Sequence, residues 1–125
     1  MADTQQRLQG LSEQFQKLQT DLQNNIQSRQ KLESQQQENK GVQKEFASLD
    51  DNSTIYKLVG PVLLKQDKAE AILGVDGRLE LIGNQIKEVE KQIKEAQDKS
   101  EELKAQIIQA QTEAQEHGAQ AQVAA

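Results

Sequence analysis

The stretch Thr54-Ile55-Tyr56-Lys57-Leu58-Val59-Gly60-Pro61-Val62-Leu63-Leu64-Lys65-Gln66-Asp67 decides how this chain folds. It concentrates β-branched and aromatic residues, and it holds the only proline and the only tyrosine of the chain. On either side lie long glutamine-rich stretches with helical periodicity, so the segment interrupts the heptads near the middle of the sequence. Ile55 to Val59 reads as one strand, Gly60-Pro61 as a turn, and Val62 to Lys65 as a second strand. Proline fixes φ and offers no ladder donor, while glycine accepts dihedrals that other residues avoid. A small β-hairpin over residues 54–65 is the expectation.

Such a hairpin is marginal alone in water, and Leu58, Val59, Val62, Leu63 and Leu64 leave few polar residues to cover it. Its free edges can pair with other chains, which implies burial by strand addition in an oligomer. The competing reading is an ordinary loop folded down over the helix ends.

Outward from the hairpin, each arm reads as a helix. In the first, over residues 5–49, Leu8, Leu11, Phe15, Leu18 and Leu22 alternate gaps of three and four, the seam of a coiled coil. Continuing that count lands on Asn25, Arg29, Leu32, Gln36 and Asn39 before Val42, Phe46 and Leu49 resume, which predicts a slipped or loosened middle. Asp50-Asp51-Asn52-Ser53-Thr54 then ends the helix, because these side chains compete for backbone groups and favour turns. Asp67 with Glu70 resembles a capping box, so the second helix is expected over 68–116. Its seam is cleaner: Leu79, Ile82, Ile86, Val89, Ile93, Ala96, Ser100, Leu103, Ile107, Ala110 and Ala114. Gly74, Gly77 and Gly83 put its early continuity in question, as an irregular or bent start or as a flexible joint. Residues 117–125, mostly Gly, Gln and Ala, read as a disordered tail.

Similar arms on either side of a break predict a chain folded back on itself, a mainly α protein built as a long antiparallel two-helix coiled coil with a short central β-hairpin. Placing Leu8 opposite Ala110 sets Leu11 against Ile107, Phe15 against Leu103, Leu22 against Ala96, Leu32 against Ile86 and Phe46 against Ile72.

Composition narrows the function. The 125 residues are 34% hydrophobic, 2% aromatic and 28% charged, too little apolar material for a globular core of that length but enough for one narrow stripe. A formal net charge of −5, with cations interleaved among carboxylates, argues against nucleic acid as a partner. No run approaches the roughly 20 apolar residues that cross a bilayer. The start, Met1-Ala2-Asp3-Thr4-Gln5-Gln6, has neither the basic nor the apolar region of a signal peptide, so no membrane partner and a cytoplasmic location are expected.

There is no cysteine and one histidine, and the carboxylates scatter along helix faces, poor material for a converging catalytic, cofactor or metal site. His117 beside Gly118 reads as a solvated or capping residue. Gly74-Val75-Asp76-Gly77 lacks the Lys-Ser/Thr of a phosphate-binding loop. No enzyme and no cofactor are expected.

The hairpin string, with Tyr56-Lys57-Leu58-Val59-Gly60-Pro61-Val62-Leu63 as its specific core, and Arg78-Leu79-Glu80-Leu81-Ile82 opening the second arm, resembles a β-type prefoldin subunit over roughly residues 5–115. The resemblance implies a prefoldin-like fold and a hetero-hexamer of α-type and β-type subunits, joined through their hairpins. It implies an ATP-independent holdase that binds unfolded clients, such as nascent actin and tubulin, at the coiled-coil tips and passes them to the cytosolic group II chaperonin. On this sequence Ile55, Tyr56, Leu58, Val59, Val62, Leu63 and Leu64 become the expected assembly contacts, and Leu8, Leu11, Phe15, Ile107 and Ile108 the expected client contacts. Ile108 falls off the seam and should face solvent, whereas Leu8, Leu11, Phe15 and Ile107 serve equally well to close the seam. The alternative from a different class is a structural or adaptor coiled coil that homodimerises.

Overall fold

The computed structural model describes the backbone of residues 2–124 and the side chains of 2–118. Helix α1 spans Ala2–Ser48, strands β1 and β2 span Ile55–Val59 and Val62–Gln66, and helix α2 spans Lys68–Ala124. The strands pair antiparallel, and the molecule is mainly helical, as the periodicity predicts.

α1 begins three residues earlier than expected. Asp3 stands in its first turn, where a carboxylate complements the helix dipole. Its last turn tightens as the Leu49 N–H donates to the Phe46 carbonyl at 3.3 Å, and the Ser53 N–H donates to the Asp50 carbonyl at 3.0 Å to close the following turn. The Asp67 carbonyl accepts the Ala71 N–H at 2.9 Å, which makes Asp67 the N-terminal flank of α2.

In the hairpin, Ile55 pairs with Gln66, Tyr56 with Lys65, Lys57 with Leu64, Leu58 with Leu63 and Val59 with Val62, leaving Gly60 and Pro61 as a two-residue turn. Gly60 has φ +59°, and proline cannot follow with a positive φ, so the turn is of the type II′ class that matches the twist of paired strands.

α2 is continuous through Gly74, Gly77 and Gly83, with neither an irregular start nor a break. The buried Ala71, Val75 and Ile82 supply packing that outweighs the weak helix preference of the three glycines. The helix also continues past His117 to Ala124, which corrects the expected disordered tail; Ala and Gln are good helix formers, and Gly118 alone does not stop them.

The chain divides into two compact units, one of Ser28–Val89 and one of the described residues of Met1–Gln27 and Glu90–Ala125. In the hairpin-bearing unit Ile55, Ala71, Val75 and Ile82 are buried, while Leu32, Phe46, Leu49, Ile72, Leu79, Ile86 and Val89 are half-buried. Phe46 and Ile72 line one shallow apolar hollow, the pairing that the arm register predicts. In the other unit Ala96, Ser100, Leu103 and Ala110 are buried. Leu8, Leu11, Phe15, Leu18, Leu22, Ile93 and Ile107 are half-buried there.

Of the slipped or loosened middle expected in α1, the slip does not occur, and the stripe there is only half-buried. Asn25, Arg29, Leu32, Gln36 and Asn39 are all half-buried, so the three-four count runs on unbroken. Val42 lies off the count at 41% exposure, and Gln43, on the count, is exposed as well, its Nε2 donating to Asp76 Oδ1 at 2.8 Å; the half-buried positions resume at Phe46. The polar residues keep the register because the stripe is narrow and half-exposed, leaving their head groups satisfied. Arg29 donates to Glu33 at 3.2 Å, and Asn39 Nδ2 to the Gln35 carbonyl at 2.8 Å.

Candidate assembly and client-binding surfaces

Strand alternation sorts the hairpin into two faces. Ile55, Lys57, Val59, Val62, Leu64 and Gln66 share one, and Tyr56, Leu58, Leu63 and Lys65 the other. Beyond Ile55 and Gln66 at its base, neither face is covered by the described residues of the chain. Leu58 is 68% exposed and Leu63 63%, and Tyr56, Val59, Val62 and Leu64 are each about half exposed or more. Ile55 differs from the other expected assembly residues: it is buried at the base of the hairpin and anchors it to its own unit. With two strands only, each also keeps one outer edge of backbone donors and acceptors.

Lys68 stiffens the base. Its Nζ donates to the Leu49 carbonyl at 3.0 Å and lies 3.7 Å from Asp51 Oδ1. An ammonium at the start of its own helix is poorly placed for that helix's dipole, but here it serves the Leu49 carbonyl just past the C-terminus of α1.

In the unit that carries both helix ends, Phe15 is half-buried with the Lys104 ammonium 5.9 Å from its ring centroid, next to the buried Leu103 expected opposite it. Gln19 Nε2 donates to Ser100 Oγ at 2.9 Å, and Ser100 is a buried polar residue on the seam. Arg7 and Glu113 meet at 3.2 Å across the helices. Leu8, Leu11 and Ile107 are half-buried on the seam, while Ile108 stands 63% exposed beside them. The structure therefore separates one expected client contact open to solvent from four engaged in the seam.

Two further apolar positions escaped the seam reading. Leu73 is 71% and Leu81 57% exposed on α2, and both were legible as leucines off the three-four count. Among the described residues no cluster of His, Cys, Asp or Glu could hold a metal ion, and no helix is long and apolar enough to cross a membrane.

A long α-helical pair whose connecting hairpin is left apolar and uncovered defines the class of prefoldin-type coiled-coil subunits. Residues 9–114 match the prefoldin subunit family. The chain is 42% identical over 111 residues to prefoldin subunit 6 of Bos taurus, covering 89% of this chain and 86% of the relative. It is 43% identical over 98 residues to prefoldin subunit 6 of Saccharomyces cerevisiae, covering 78% and 86%. Among solved structures, the prefoldin beta subunit of Thermococcus strain KS-1 superimposes with a TM-score of 0.77 at 31% identity, covering 83% of this chain and 91% of that one. The chain belongs to the prefoldin subunit family, and its sequence similarity runs to eukaryotic subunit 6 over most of its length. Prefoldin is a chaperone family, not an enzyme family, and its subunits form hetero-oligomers with one another.

Proposed function

We propose that this chain is the β-type subunit of a cytoplasmic hetero-hexamer that holds unfolded proteins, such as nascent actin and tubulin, at its coiled-coil ends and delivers them to the group II chaperonin without ATP. The observation that carries the reading is the hairpin. Six apolar or aromatic side chains are left open on two faces, a state that costs solubility in a monomer and is relieved when strands of neighbouring α-type and β-type subunits add to its edges. Tyr56, Leu58, Val59, Val62, Leu63 and Leu64 make those contacts, with Ile55 as their foundation. Support for client holding comes from Ile108, an exposed isoleucine one position from the seam. Leu8, Leu11, Phe15 and Ile107 join it when the helix ends fray, and each contact is weak until several subunits act together.

The test mixes the purified chain with α-type prefoldin subunits and measures mass by light scattering. A hetero-oligomer that suppresses aggregation of unfolded actin and releases it to the chaperonin is the expected result. A homodimer that ignores those subunits overturns the proposal in favour of an adaptor coiled coil.

A further inference from the structure

Leu73, Gly77 and Leu81 recur every four residues along α2, a stripe that starts opposite the buried Ala71, Val75 and Ile82 at Leu73 and winds round to their flank at Leu81. Leu73, at 71%, is the most exposed of the large hydrophobic residues among those described, and Leu81 is 57% exposed. A Cβ at Gly77 would meet nothing within 4 Å, so between the two leucines the helix backbone lies open to close approach from outside. The exposed carboxylates Glu70, Asp76 and Glu80 flank this stripe, with Arg78 the one cation beside it.

The hairpin of this same chain has the complementary character: it is apolar, its charged residues are Lys57 and Lys65, and no carboxylate occurs in residues 55–66. We infer that the Leu73-Gly77-Leu81 stripe is a docking surface for the β-hairpin of a neighbouring prefoldin subunit, one with the lysine-flanked apolar strands that this chain itself carries. The two leucines straddle an incoming strand, Gly77 lets its backbone come close to the helix, and the rim carboxylates meet the one lysine that the docked face of the hairpin carries. This rests on the proposal that the hairpins join subunits, and it adds a helical wall to what would otherwise be strand pairing alone.

Three variants of the full chain, each assembled with its partner subunits, test it by light scattering and thermal melting. Leu73→Ser with Leu81→Ser should raise the concentration needed for half-assembly by about tenfold or more. Gly77→Gln should raise the melting temperature of the isolated chain, because glycine is a poor helix former, yet weaken assembly. Leu58→Asp reports on the hairpin itself. If Leu58→Asp abolishes assembly while the serine pair and Gly77→Gln assemble as the parent does, the stripe is not a docking surface and the hairpin proposal stands. If Leu58→Asp assembles normally, both fall.

A photo-crosslinking side chain at Leu73, in the assembled complex, names the occupant. Adducts on the hairpin strands of another subunit are expected; adducts on an added unfolded client, or none, overturn the inference.

Discussion

At Lys68 a single side chain ties the end of one helix to the start of the next, bonding the Leu49 carbonyl just past the end of α1. The Gln19 and Ser100 pair is a comparable device on the seam, a 2.9 Å bond held where an apolar contact would be expected. Removing one partner leaves the other without its bond in a partly dry site. Ser100→Ala alone should therefore cost about 1 kcal/mol, whereas Gln19→Leu with Ser100→Ala together should be nearly neutral or stabilising. A double-mutant cycle by urea denaturation measures the coupling, and an additive result would mean that the bond contributes nothing. Ile108 poses the functional question at the same scale. Ile108→Ser touches no buried contact, so helicity and assembly should be unchanged while suppression of client aggregation falls severalfold; unchanged suppression counts against client holding at this end.

Among the elements, α1 and α2 divide the packing unequally. α1 has no fully buried residue, while α2 contributes Ala71, Val75, Ile82, Ala96, Ser100, Leu103 and Ala110. Glutamine and asparagine on the α1 stripe keep it half wet, so α2 is the firmer member. Within α2 the glycines are a standing weakness. Gly74→Ala and Gly83→Ala place a Cβ in free space or ordinary contact, and each should stabilise the chain by up to ~1 kcal/mol, read as a rise in melting temperature. No rise would mean that local propensity is already overridden by packing. The hairpin is the opposite case, an element formed by its turn yet uncovered. Leu58→Asp should leave helical circular dichroism intact and prevent hetero-oligomer formation, which separates folding of the chain from its assembly.

For the whole molecule, the apolar surface left open by folding matters as much as the surface buried. A family member whose largest exposed hydrophobics sit on the hairpin, on the adjacent outer side of α2 and at Ile108 is built for contact with other chains. If the proposed apolar strand contacts hold the assembly, hetero-oligomer mass should persist in salt titrations; dissociation between low and about 0.5 M salt would shift the weight to Lys57, Lys65 and the α2 glutamates.

Most of this architecture was legible in the residues. The two strands, the Gly60-Pro61 turn, the α2 seam and the start of α2 at Lys68 follow from local chemistry, because dihedral preference and a period of three and four are written position by position. The exposure of Ile108 also follows from its place off the seam. Where the chain misled, the deciding term was not local. Asn25, Arg29, Gln36 and Asn39 broke the apolar pattern and suggested a slip, but each stays half-buried on a continuous helix, and Phe46 falls on the same count while Val42 is left outside it. Gly74, Gly77 and Gly83 suggested a broken start, and burial of Ala71, Val75 and Ile82 overrode them. The sequence by itself determined the elements, their order and the antiparallel return. Only the tertiary structure decided that Ile55 is buried while its strand neighbours are open, because burial depends on what the rest of the chain brings alongside, which no local pattern states.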